Sequence, residues 1–248
     1  MEAPHLIRRA EFEAVLQNYQ MSDVAKADLA DLSFALMVAP TATGRNTIIN
    51  ELLKTGNYQF IVTDTTRPPR VNNGVLERNG VEYFFRKEDD MLEDLQNGRF
   101  AEAAIIHGQQ VSGVSVRELE RAKNLGKIAI TDIEIHGTET IKHAQPNASA
   151  IFVLPPDFAQ WMDRLHKRSP EMTTEEFARR LASASEELQA ALEKDYYLFV
   201  INDDLAQAAR DVDELVRLKQ VDDAKQTAGR ELAKRLLDET NAHRKELR

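Results

Sequence analysis

The sequence predicts an α/β protein with a parallel sheet at its core. Short, largely apolar runs recur at 34–38, 127–131, 151–154 and 197–201, and such runs mark strands covered on both faces. Between them the apolar residues change to helical spacing, as at Ile48, Ile49, Leu52 and Leu53 or at Phe158, Trp161, Met162 and Leu165. With 248 residues, 42% hydrophobic and 29% charged, the chain is long enough for one such domain with a sizeable core.

Charge and composition exclude several classes. A net charge of −9 argues against a nucleic-acid surface, and the lack of cysteine excludes disulfides and thiolate metal sites. No run approaches a membrane span, and Met1-Glu-Ala-Pro4 lacks the basic and apolar parts of a signal peptide, so a cytoplasmic protein is expected.

Taken in order, residues 1–32 read as a helical extension. Phe12, Val15, Leu16 and Tyr19 make one apolar stripe, and Ser22 caps a second helix carrying Val24, Ala25, Leu29 and Leu32. The stripe needs a partner surface, either its own domain or another subunit. Phe34–Val38 is then a buried strand, followed by the loop Ala39–Thr47 and a helix. Strand, small-residue loop and helix is the layout of a phosphate-binding loop, in which backbone N–H groups and the helix N-terminus meet an anion. Of the defining positions of G-x-x-x-x-G-K-[ST], occupied here by Ala39, Gly44, Arg45 and Asn46, only Gly44 conforms. By itself the stretch reads as an ordinary strand-to-helix turn.

Phe60–Val62 reads as a strand leading into Thr65-Thr66-Arg67-Pro68-Pro69-Arg70. The prolines hold this segment extended with a three-residue repeat, so Arg67 and Arg70 point the same way, suited to binding a phosphate in bidentate fashion. Alone, it would be a solvated proline turn. A turn-rich stretch from Val71 to Gly80 precedes a strand at 81–85, and a helix through Met91, Leu92 and Leu95 ends at Gly98. The strand at 127–131 delivers Asp132, Glu134 and His136 to one side, a row resembling a metal site but also common at strand ends. Asp157 opens one helix, and Thr173 with Glu176 forms a capping box for a longer one. After a strand at 197–201 and a helix striped by Leu205, Ala208, Val212 and Leu215, residues 222–248 read as a charged helix. Its thin stripe of Ala224, Ala228, Leu232 and Leu236 marks a solvated or partner-binding tail.

From about Phe34 to about Leu218 these pieces, in this order, resemble a guanylate kinase. The resemblance rests on Ala39–Thr47, Thr65–Arg70, Tyr83, Phe100-Ala-Glu102, His107-Gly108, Asp132-Ile-Glu134-Ile-His136-Gly137, Ile151–Pro156, Arg164–Arg168, Arg179-Arg180-Leu181 and Ile201–Leu205. It implies a P-loop NTPase-type parallel sheet core at 33–220, with a GMP-binding part at about 62–115 and a lid at about 164–180. The helical extension 1–32 and the charged helix 221–248 flank it. It also implies transfer of a phosphoryl group from ATP to GMP with Mg2+, giving ADP and GDP. ATP would lie on Thr43, Gly44, Arg45, Asn46 and Thr47, with Asn202 near the adenine. Arg45 and the lid arginines Arg164, Arg168 and Arg180 would be catalytic, closing on the phosphates and neutralising charge. Glu134 would reach Mg2+ through water, with Thr47 a weaker metal contact. Thr63, Arg67, Arg70, Tyr83, Glu102 and Asp132 would hold GMP. A carboxylate accepts both N1–H and the exocyclic amine of guanine, a donor pair that adenine lacks.

The chain departs from that family at several positions. Val111-Ser112-Gly113 stands for Tyr-Gly-[Ser/Thr], removing a phosphate-contacting tyrosine and a base-contacting hydroxyl, a loss of about 1–3 kcal/mol if buried groups are left unpaired. Arg45 keeps the charge of the usual lysine in a longer, rigid fork, Asn46 replaces a hydroxyl, and Ala39 adds a methyl group where backbone approaches phosphate. The readings that follow are a kinase with weakened ATP handling, an inactive module binding GMP or a phosphorylated partner, and a kinase for another phosphorylated acceptor.

Overall fold

The computed structural model describes residues 6–72, 74–106 and 108–247, so Asn73 and the motif residue His107 lie outside the described residues. The chain divides into two compact units, one of Met1–Leu32, Gln59–Ala129 and Glu139–Asn147, the other of Ser33–Tyr58, Ile130–Thr138 and Ala148–Arg248. The chain opens with α1 (Arg9–Leu16) and α2 (Asp23–Asp28), then β1 (Phe34–Val38), α3 (Arg45–Lys54), β2 (Tyr58–Phe60) and β3 (Asp64–Thr65). A hairpin of β4 (Val71–Asn72) and β5 (Val75–Leu76) precedes β6 (Phe84–Phe85), α4 (Glu88–Gln96), β7 (Phe100–Ile106), β8 (Gln110–Ser115), α5 (Val116–Asn124) and β9 (Ile128–Asp132). The last part runs α6 (Ile135–Ala144), β10 (Ser149–Leu154), α7 (Phe158–Arg168), α8 (Thr174–Glu193), β11 (Tyr197–Ile201), α9 (Leu205–Val216) and α10 (Asp223–Glu246).

The second unit is organised on a sheet of order β11-β10-β1-β9-β2, in which β10 is parallel to both β1 and β11. Every residue of β1 and β10 is buried, as their unbroken apolar runs require. Side-chain caps start the helices where the sequence placed them: Ser22, Asp157 and Thr173 accept the backbone N–H of Ala25, Gln160 and Glu176. Strand β9 ends at Asp132 and α6 begins at Ile135, so Asp132, Glu134 and His136 are not alternate residues of one strand, contrary to the expected row.

The first unit carries a four-stranded sheet of order β6-β3-β8-β7. Phe12 of α1 is buried with Met91, Leu92, Leu95, Phe100 and Val111, while Val15, Leu16 and Tyr19 pack against that cluster. The N-terminal stripe is thus covered within its own unit. Among the described residues no helix is long and apolar enough to cross a membrane.

The C-terminal helix is not a solvated tail. It buries Gly229, Leu232, Ala233, Leu236, Leu237 and Thr240, a stripe centred one position away from the expected 224-228-232-236 ladder and floored by small residues. A Cβ on Gly229 would stand 2.4 Å from Phe199 Cβ, so only glycine allows α10 this close to β11. Strand β11 is a sheet edge, and the Gln226 amide covers it as a neighbouring strand would, accepting from Phe199 N (2.7 Å) and donating to Phe199 O (3.2 Å).

Candidate active site

In the second unit, β1 runs into the loop 39–47 and then α3, whose N-cap Gly44 has φ 95° and provides no side-chain cap. The first N–H groups of α3 therefore remain available to an anion. Thr43 is buried, with its hydroxyl donating to Pro40 O (3.1 Å), and Asn202 Nδ2 donates to Thr43 O (2.7 Å). A Cβ at Gly44 would lie 2.1 Å from Asn202 Nδ2, so glycine is required both by φ and by this approach. Ala39 to Thr47 and Arg168 line a cavity of about 150 Å³. Thr47 and Asn46 are exposed on the first turn of α3.

Arg45 turns toward the ends of β1 and β9. Its Nη2 donates to Asp132 Oδ2 (2.9 Å), Nη1 faces Met37 O and Ile133 O (3.4 Å each), and Nε faces Asn46 Oδ1 (3.3 Å). The loop cation and one of the expected guanine-reading carboxylates are thus a salt bridge. Near them lies Glu187 of α8, an acid that sequence reasoning passed over. Its Oε2 is buried with no hydrogen-bond partner among the described residues, and burial pushes its carboxyl up to about 7, opposed by Arg45 and reinforced by Glu134 and Glu186. The available signal was an acid at the helical spacing of the buried Ala184, Leu188 and Ala191.

Of the arginines expected in a lid, Arg164 donates to Asn202 O (3.0 Å), Arg168 lines the loop cavity, and Arg180 bonds Ser169 Oγ (3.2 Å) and Glu176 (2.5 Å). The acid of the expected capping box is therefore engaged by Arg180. Glu134 is exposed just before α6. Among the described residues no group of three His, Cys, Asp or Glu side chains could hold a metal ion. Exposed Thr47 and Glu134 nevertheless suit Mg2+, which typically takes one or two protein groups and fills its shell with phosphate oxygens and water.

In the first unit the arginines of the proline segment are unlike each other: Arg67 is 5% exposed and Arg70 is exposed. Arg67 forms a two-point salt bridge with Glu77 (2.5 and 2.9 Å) and lies over the Tyr83 ring, 4.6 Å from its centroid. Glu77, at the end of the β4–β5 hairpin, also accepts the Arg70 N–H (2.8 Å), so one acid organises both arginines. Sequence reasoning missed this residue because no local pattern pairs Arg67 with Glu77.

The β7–β8 register decides which residues accompany Glu102. Glu102 pairs with Val114 and Ala104 with Ser112, after an irregularity between Phe100 and Glu102. Paired residues share a face, so Ser112 and Val114 accompany Glu102, while Val111 enters the core with Phe12 and Phe100. A one-residue slip exchanges every side chain between faces. No side chain fits at Gly113, where a Cβ would be 2.5 Å from Glu102 O. The Ser112 hydroxyl donates to Thr65 Oγ1 (2.9 Å), with Gln110 beside both and Arg70 Nη2 3.5 Å from Gln110 Oε1. Thr63 is half-buried just before β3. Asp64, fully buried, joins Arg86 (2.5 Å) and Arg117 (2.8 Å) and fixes this end of the sheet.

The guanylate kinase family model matches residues 33–219. The chain belongs to the guanylate kinase family. It is 34% identical over 183 residues to the guanylate kinase of Thermotoga maritima, covering 73% of this chain and 84% of that one. It is 32% identical over 184 residues to that of Nitrosomonas europaea, covering 74% and 88%. Against guanylate kinase 1 of Arabidopsis thaliana it is 31% identical over 182 residues, but the match spans only 46% of that longer protein. The crystal structure of guanylate kinase from Anaplasma phagocytophilum shares the fold, with a TM-score of 0.56 and 24% identity over 82% of this chain and 94% of that one. The guanylate kinase match takes in the loop 39–47, helices α7 and α8 and the proline-segment arginines; α1, α2 and α10 lie outside it.

Proposed function

We propose that the chain is a phosphotransferase that moves the γ-phosphoryl of ATP to GMP. An acceptor phosphate oxygen forms the new P–O bond as the bond to the β–γ bridging oxygen breaks, releasing ADP and GDP. The observation that carries this reading is Arg67, held by Glu77 over Tyr83 with the Arg70 N–H on the same acid. A buried, oriented guanidinium beside a phenol is the arrangement a phosphate monoester needs, and Glu102 supplies the acceptor that guanine's donor pair requires. In the second unit the loop N–H groups and Arg168 would cradle ATP phosphates, with Arg164 and Arg180 neutralising charge. Mg2+, when bound, neutralises phosphate charge; Thr47 and, through water, Glu134 would hold it. A cytoplasmic setting goes with this reading.

Arg45 supports a second reading, a module that binds GMP or a phosphorylated partner without turnover, because its donors are directed at Asp132, strand carbonyls and Asn46. Ser112 and Val114 on the Glu102 face support a kinase acting on a different phosphorylated acceptor. A coupled assay with ATP, Mg2+ and a panel of nucleoside monophosphates separates the three. Turnover with GMP at about 1–100 per second supports the first, GMP binding without turnover the second, and preference for another acceptor the third.

A further inference from the structure

The C-terminal helix reaches the lid. Along its length α10 is fastened to α8: Arg230 Nη1 donates to Leu192 O (2.7 Å) and Ser185 Oγ donates to Asn241 Oδ1 (2.8 Å). Near its end His243 stands between the two lid helices, its ring 5.7 Å from Phe158 of α7 and 5.9 Å, edge to face, from Phe177 of α8. Phe158 in turn meets Trp161 edge to face at 5.9 Å, and Trp161, 1% exposed, donates its indole N–H to Thr41 O (2.8 Å) in the phosphate loop. Leu247 packs in the cluster of Leu165, Phe177 and Leu181 that also takes in Ala42 of the loop. An unbroken set of contacts therefore runs from the last turns of α10 through both lid helices to the loop.

We propose that His243 and Leu247 are positioning residues that hold the lid helices α7 and α8 against the ATP loop. Neither touches the loop cavity; they act through Phe158, Trp161 and Phe177. Lids are drawn from the less stable parts of a fold, so a contact supplied from outside the two helices changes how readily they open. Here the rings of Phe158 and Phe177 are joined through a third ring supplied from outside the family-matched residues 33–219. Ring contacts of this kind, one tilted and one edge to face, shift an opening equilibrium by about tenfold between them. The loop geometry set by Thr41 and Ala42 is thereby tied to residues about two hundred positions later in the sequence. That ATP is the ligand of the loop rests on the function proposed above; the link between α10 and the lid does not.

The test uses the full chain with His243→Ala, Leu247→Ala and His243→Phe, each checked by circular dichroism for an intact fold. Hydrogen exchange is followed over 158–181, and ATP and GMP binding are measured separately by calorimetry. His243→Ala and Leu247→Ala are expected to raise exchange in 158–181 selectively and to weaken ATP binding about tenfold, with GMP binding unchanged. His243→Phe, which keeps the ring contacts, is expected to restore both. Unchanged exchange in 158–181 in the alanine variants, or a rise spread evenly over the whole second unit, overturns the proposal, as does failure of His243→Phe to restore protection. If the unsubstituted protein binds no ATP, the functional reading fails while the exchange measurement still decides the role of α10.

Discussion

Replacing Glu77 by glutamine removes the charge that holds Arg67. The two side chains are 7% and 5% exposed and make two contacts, of 2.5 and 2.9 Å. Breaking a buried pair by removing one partner costs about 3–5 kcal/mol, because the remaining charge keeps its desolvation penalty. Glutamine still offers one oxygen, so Glu77→Gln should lie near the low end, about 3 kcal/mol. For a chain of this size that is a fall of about 6–12 °C in Tm. Arg67→Met combined with Glu77→Gln should cost less than the sum of the single changes, since the stranded cation is gone. Glu77 takes the end-on N–H pair of the guanidinium, so a phosphate would meet the side-on pair. GMP affinity should therefore fall with orientation in Glu77→Gln, not rise through loss of a competing anion. Chemical and thermal denaturation measure the first effect and calorimetry with GMP the second. A stability loss below about 1 kcal/mol, or tighter GMP binding, would refute the idea that Glu77 anchors this arginine.

Other expectations follow from the second unit and the Glu102 face. Arg45→Lys with Asn46→Ser should raise turnover in the coupled assay, because a lysine leaves the strand carbonyls and the serine restores a hydroxyl for metal; no gain would locate the defect elsewhere. The Glu187 carboxyl is raised by burial to about 7, so its contribution is full below the ordinary carboxylate range and is lost as pH rises through about 7. Glu187→Gln should accordingly gain stability relative to the parent between about pH 5 and pH 8, by up to about 3 kcal/mol, in denaturation at a series of pH values. Gly229→Ala, whose Cβ would be 2.4 Å from Phe199 Cβ, should cost about 1–3 kcal/mol in the same measurement. Val114→Thr should tighten GMP binding by returning a hydroxyl to the Glu102 face, whereas Gly113→Thr should only destabilise, its Cβ meeting Glu102 O at 2.5 Å.

The sequence by itself determined most of the elements and the family. Unbroken apolar runs at β1 and β10 could only be buried strands, Ser22, Asp157 and Thr173 could only begin helices, and the order of motifs from Ala39 to Asn202 carried the family. These are local signals, fixed by a few neighbouring residues. The tertiary structure decided what depends on partners far along the chain: that Arg67 meets Glu77, that Arg45 meets Asp132, that Ser112 rather than Val111 shares the Glu102 face, and that α10 is packed instead of solvated. A strand pattern with period two reads equally well in either register, and a helix striped with glycine and alanine looks weakly amphipathic until a close neighbour is known. Burial and ion pairing are properties of pairs of distant segments, and no single segment contains them.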